Sequence, residues 1–180
     1  MGLFDFLQPN KNEKPSTWGL SLLKPKALDQ ILVLGCDKGK NVLTLLETYQ
    51  NANVTGVDGV VKQPEEKGRY RIIQENFADM SFATKSFDIA CAFDSIYFWT
   101  DIDKCFREIY RVLKKGGSFI ICNETDGKDL TGRSYQMMIQ NMKAYQMEEI
   151  ERQLKKAGFK NIQTYHHETK PWITLIGEKQ

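Results

Sequence analysis

The chain alternates short apolar runs with amphipathic ones. "ILVLG", Ile31 to Gly35, is continuously apolar, as a strand buried on both faces must be. In "KNVLTLLETY", Val42, Leu45, Leu46 and Tyr49 recur at helical spacing and predict one amphipathic stripe. "ANVTGVD" and "YRIIQ" predict the next two strands, and "SFDIACAFD" a fourth. "DIDKCFREIYRVLKK" predicts a helix with Ile102, Phe106, Ile109 and Leu113 on its buried side. Thr100 and Asp103 are placed as its capping box, with Asp standing in for the usual Glu. "GGSFIICNE" breaks that helix and opens a fifth strand. "MEEIERQLKKAG" predicts another helix, with Met147, Ile150, Leu154 and Ala157 aligned and Gly158 at its stop. "KNIQTYHHE" and "PWITLIGEK" close the chain as two β-runs, whose short link permits antiparallel pairing and forbids a crossover. Strands alternating with helices predict an α/β fold, a mostly parallel sheet covered on both faces.

Length and composition narrow this picture. A chain of 180 residues suffices for one domain with a buried core, taken as residues 18–180 behind a partly ordered extension, 1–17. Twenty-five Lys and Arg against 23 Asp and Glu leave a formal charge of +2 with no basic block, so no nucleic-acid partner is expected. The basic tail "ERQLKKAGFK" carries its lysines beside acids at helical spacing and reads as a solvated face. Cys36, Cys91, Cys105 and Cys122 show no CxxC spacing, and buried thiols in a reducing cytoplasm explain them. No apolar run approaches the ~20 residues that span a bilayer, and no membrane partner is expected. The start, "MGLFDFLQPNKNEKPS", is too short and acidic for a signal peptide, and Phe6 replaces the Ser/Thr of a myristoylation signal. Leu3, Phe4, Phe6 and Leu7 are expected to dock on the domain. His166 and His167, adjacent on a strand, point to opposite faces and cannot form a two-histidine metal site.

The candidate chemistry begins at the first strand-to-helix turn. Gly35 and Gly39 sit where a ligand can approach backbone only if no Cβ intervenes. The helix that follows offers partial positive charge to a carboxylate or phosphate. A tight turn with no ligand explains the two glycines equally well. Asp58 closes "VTGVD", about 20 residues past the turn, where a carboxylate accepts from both ribose hydroxyls of an adenosine-containing cofactor. To this point a nicotinamide-binding domain fits equally.

The second half separates the readings. "SFDIACAFDSIYFWTDIDKCFREIYRVLKKGGSFIICNE" resembles, in order and spacing, the central block of class I S-adenosylmethionine-dependent methyltransferases, and "LKKAGFKNI" with two terminal strands resembles their ending. The resemblance spans roughly Trp18 to Lys179 and is nearest to a bacterial small-molecule subgroup. It implies a Rossmann-like, seven-stranded, mostly parallel sheet of order 3-2-1-4-5-7-6 with strand 7 antiparallel. It further implies that Gly35, Cys36 and Gly39 wrap the methionine half of S-adenosyl-L-methionine, that Asp58 holds the ribose and that Asn76 contacts the adenine. Phe93 and Asp94 would border the sulfonium. Ile96, Tyr97 and Trp99 would wall the substrate side, with core packing the alternative for Trp99. A lid helix in "YQMMIQNM" would turn Tyr135, Met138 and Met142 inward, and Trp18 and Gly19 would close the same side.

Several positions depart from the family pattern. Val33 stands where the family carries an acid, and Asp37 replaces the middle glycine of the loop. Gly59 replaces a larger apolar residue that packs on the adenine, and Phe77 replaces a small one beside it. Asp37 is given the role of reaching the cofactor's amino group in place of the acid missing at Val33. Between Asp58 and Tyr70, Pro64 and Gly68 leave room for a loop or one short turn. The least ordered segments are expected at residues 1–17 and "TDGKDLTGRS". The expected activity is methyl transfer by in-line attack of a small-molecule acceptor, with Asp94 and Tyr97 as candidate general bases, in a cytoplasmic monomer or homodimer. The alternative is a non-catalytic relative whose cofactor pocket has eroded and which serves as a binding or partner module. A nicotinamide-dependent enzyme is disfavoured by the missing third glycine and the antiparallel ending.

Overall fold

In the computed structural model, which describes residues 14–23, 29–36, 39–61 and 63–180, every predicted strand forms. Helix α1 (Pro15–Ser21) precedes β1 (Gln30–Leu34), α2 (Lys40–Thr48) and β2 (Asn53–Asp58). Strands β3 (Glu65–Lys67), β4 (Tyr70–Gln74) and β5 (Phe87–Phe93) follow, then a 3₁₀ turn at Ile96–Phe98 and α3 (Ile102–Val112). The chain continues through β6 (Leu113–Asn123), α4 (Leu130–Met138), α5 (Met147–Ala157), β7 (Lys160–His166) and β8 (Ile173–Glu178).

These strands form one sheet of order β3-β4-β2-β1-β5-β6-β8-β7. Pairing is parallel from β4 through β6, while β8 runs antiparallel to both β6 and β7. The unbroken apolar run of β1 is used on both faces. Leu32 and Leu34 join a core that includes Phe106, Ile109, Phe119, Leu154 and Phe159. Ile31 and Val33 join a second core with Leu20, Val42, Leu45, Cys91 and Cys122. Phe119 packs edge-on against Phe106, with ring centroids 5.3 Å apart, a geometry that favours aromatic pairs beyond the area they bury.

Four details correct the sequence reading. The sheet has eight strands rather than seven, because Glu65–Lys67 pairs antiparallel with β4 where only a loop or turn was expected. This added edge is short, exposed and charged, which discourages pairing with another chain. The cap of α3 is Asp101, whose carboxylate accepts from the Lys104 amide at 3.0 Å. Asp103 instead pairs with Arg107 at 2.6 Å and Lys156 at 3.0 Å, tying α3 to α5.

The segment "TDGKDLTGRS" is built of turns and a helix start. Asp126 accepts from the Lys128 amide at 2.8 Å, and Asp129 caps α4 by accepting from the Gly132 amide at 3.0 Å. Finally, α4 does not turn its methionines inward. Tyr135 and Met138 are exposed, and of the expected inward set only Met142 is buried. The readings placed on Asp37 and on Leu3 to Leu7 lie outside the described residues. All four cysteines are buried, and burial pushes the Cys105 and Cys122 thiols up to about 12. His166 is exposed, while His167 packs on Trp18 and Trp172 at ring-centroid distances of 5.2 and 4.9 Å.

Candidate active site

The carboxyl ends of β1, β2, β4 and β5 open into one cleft of about 980 Å³. This is where the strand order reverses, β1 sending the chain to one side and β5 to the other, and open α/β sheets place ligands at such a point. The volume lies at the upper end of the usual range for small-molecule sites. Asp58 and Gly59 reach the cleft from the end of β2, Gln74 to Asp79 from the end of β4, and Phe93 to Ser95 from the end of β5.

Gly35 lines the cleft at φ +80°, but its glycine identity has a cause inside the protein. A Cβ there would stand 2.4 Å from the Ser95 Cβ. Its N–H donates to the Val57 carbonyl at 2.9 Å, and its carbonyl accepts from Asn41 Nδ2 at 3.3 Å. Ser95 in turn donates to the Leu34 carbonyl at 2.7 Å, locking the ends of β1 and β5 together. Gly39 caps α2 at φ +88° without lining the cleft. Cys36 is buried behind the wall, its Sγ 3.9 Å from the Asp58 carboxylate.

Gly59 leaves open space, since a Cβ there meets nothing within 4 Å. Phe77 forms a wall without plugging the cleft, leaning on Trp99 with ring centroids 5.2 Å apart. Asn76 spends its amide oxygen on the Ala78 N–H at 3.0 Å, so its amide nitrogen is the group left to face an adenine. Trp99 belongs both to the core and to the cleft wall, and its indole N–H is buried without a partner among the described residues. Ile96 and Tyr97 are buried and do not line the cleft; Phe98, not singled out in the sequence, does. Lys14, Pro15 and Ser16 close the amino-terminal side in place of Trp18 and Gly19.

Asp94 is the cleft carboxylate whose proton affinity is strongly raised. It sits at φ +49°, a left-handed angle that Asp tolerates better than most residues. One carboxylate oxygen accepts from the Glu124 amide at 2.6 Å and from the Tyr97 hydroxyl at 3.4 Å. Burial drives its pKa up to about 7 against the lowering effect of those bonds. Tyr97 also accepts from the Thr125 amide at 3.3 Å, and burial pushes its phenol upward, so it stays protonated. Tyr97 therefore orients Asp94 and has no route of its own to the cleft.

The cleft tests well against an adenosyl cofactor: an acid at the end of β2, an amide donor after β4, ring walls and space beside Gly59. Comparison with known proteins agrees. Residues 32–121 match the family model described as "Methyltransferase domain". The Bacillus subtilis protein "Uncharacterized methyltransferase YdaC" is 25% identical over 168 residues, 87% of this chain and 90% of its own length. "Methyltransferase phqN" of Penicillium fellutanum is 31% identical over 100 residues, 50% of this chain; that match spans only 30% of the fungal protein's length. Among solved structures, phosphoethanolamine N-methyltransferase 2 of Haemonchus contortus with S-adenosyl-L-methionine superposes at a TM-score of 0.75. It is 18% identical, over 91% of this chain and 52% of its own.

Proposed function

From the premise that the chain belongs to the methyltransferase-domain family, we propose that it transfers a methyl group from S-adenosyl-L-methionine to a small-molecule acceptor bound beside Asp94. The observation that carries this reading is the convergence of Asp58, Asn76, Phe77, Phe93 and Asp94 on one cleft, from the carboxyl ends of three different strands. In this reading Asp58 accepts from the ribose hydroxyls, Asn76 and Phe77 border the adenine, and Gly59 leaves the ring uncrowded. Gly35, Cys36 and Gly39 shape the loop beside the methionine half.

The cofactor supplies an activated methyl group on a sulfonium. The chain's own task is to hold the acceptor in line with it and to exclude water. Such alignment is worth ~7–11 kcal/mol of a barrier. Asp94 takes a proton from the acceptor where one must leave, with Tyr97 as its positioning residue.

Calorimetric and thermal-shift titrations with S-adenosyl-L-methionine and S-adenosylhomocysteine test the reading. Ligand at 100 times its dissociation constant stabilises the fold by about 2.7 kcal/mol, and Asp58→Ala should weaken binding at least tenfold, about 1.4 kcal/mol. No shift at millimolar ligand would overturn the enzyme reading and leave a methyltransferase fold acting as a binding module.

A further inference from the structure

The charged groups lining the cleft are Asp58, Glu75, Asp79 and Asp94 against Lys14. Most of these acids have work elsewhere. Asp58 stands at the ribose position, Glu75 accepts from the Ser81 amide at 3.2 Å, and Asp79 lies within the field of Arg111. At Asp94 no ion pair reaches the carboxylate among the described residues, and the hydrogen bonds it accepts from them fall on a single oxygen. Among the described residues the second oxygen accepts from no donor. Rings lie along the same wall: Phe93 precedes Asp94 directly, and Phe98 and Trp99 follow on the 3₁₀ turn and its end. A carboxylate among aromatic faces suits a cation, which the ring quadrupole and the negative charge both attract. It repels a carboxylate or phosphate acceptor by like charge.

Resting on the methyltransferase reading, we infer that the acceptor is an amine, held as its ammonium form by the free oxygen of Asp94 and the faces of Phe93, Phe98 and Trp99. On transfer, one ammonium proton passes to the Asp94 carboxylate. The freed nitrogen lone pair forms the new N–C bond, and the S–C bonding pair stays on sulfur. The product leaves as the methylated ammonium, and Asp94 returns its proton to water. The raised proton affinity of Asp94 suits it to this task, since an ordinary carboxylate is too weak a base to take an ammonium proton readily. Tyr97, hydrogen-bonded to Asp94, holds the bonded oxygen and leaves the other for the acceptor.

The test uses three matched probes, benzylamine, benzyl alcohol and benzoate, titrated calorimetrically into protein saturated with S-adenosylhomocysteine. Benzylamine should bind at least tenfold more tightly than either neighbour. Asp94→Asn should cost benzylamine at least tenfold in affinity while changing that of S-adenosylhomocysteine less than twofold, which also shows that the variant folds. Benzylamine with S-adenosyl-L-methionine should release S-adenosylhomocysteine, and benzoate should not. Equal or tighter binding of the alcohol or acid overturns the amine assignment, as does an equal loss of both ligands in the variant, which would assign Asp94 to the cofactor. If S-adenosylhomocysteine itself does not bind, the methyltransferase reading fails first, so the two failures are distinguishable.

Discussion

Asp94 joins an uncommon backbone angle, a half-buried carboxylate and a tyrosine that donates to it, and the cost of that arrangement is readable as pH dependence. Its folded pKa, about 7, lies above the ordinary 3.8. The folded state therefore binds the proton more tightly than the unfolded chain. The stability this lends is fully present below pH 4 and is lost as pH rises through 7. Urea unfolding at pH 5 and pH 8 should show the native protein losing stability across that window and Asp94→Asn losing less of it. Equal losses would show that Asp94 carries no such shift. At this scale the sequence was informative where a side chain follows directly on a strand. Asp58, Asn76, Phe77, Phe93 and Asp94 all reach the cleft. It was less informative behind that first layer. Tyr97 and Phe98 are neighbours on a three-residue turn, and no periodicity says which of them faces inward; the structure buries Tyr97 and leaves Phe98 on the cleft. The Gly35 turn was read as room for a ligand, whereas the contact that requires glycine is with Ser95, 60 residues later and invisible to local pattern.

Among the elements, α3 is fixed at both ends by side chains of different reach. Asp101 caps its amino end locally. At the other end Lys179, from beyond β8, donates to the carbonyls of Tyr110 at 2.6 Å and Leu113 at 2.8 Å, satisfying groups that a helix terminus leaves open. Asp101→Ala should cost about 1 kcal/mol in chemical unfolding, as loss of a cap does. Lys179→Met should cost more, about 1–3 kcal/mol, because the carbonyls it leaves are buried. A smaller loss than that of Asp101→Ala would show that water replaces the ammonium. Strong patterns gave α3 and α5 their positions from the sequence, and short polar ones misled. The Thr100–Asp103 spacing imitated a cap one residue early. Glu65–Lys67 has no apolar alternation, and only its pairing with β4 makes it a strand. Asp88 makes contacts that no local pattern shows. Its carboxylate accepts from the Gln30 amide at 2.8 Å and pairs with Lys114 at 2.8 Å, joining the starts of β1, β5 and β6.

Over the whole molecule, the strand order was legible through the family resemblance, and the short link between the last two β-runs pointed to their antiparallel pairing. The eighth strand adds an edge without disturbing that order. No helix among the described residues is long and apolar enough to cross a membrane. The placement of β8 between β6 and β7 has a further consequence for how the protein is made. During vectorial synthesis β7 emerges from the ribosome before β8, the strand it pairs with, and the β6 edge stays open until Ile173 to Glu178 follow. A chain stopped after Glu168 should therefore scatter light and elute as large particles, while the 180-residue chain does not, since it leaves the Ser118–Asn123 edge of β6 uncovered. Nascent copies crowded on one messenger meet that hazard together, and each escapes it when Ile173 to Glu178 emerge to cover the edge.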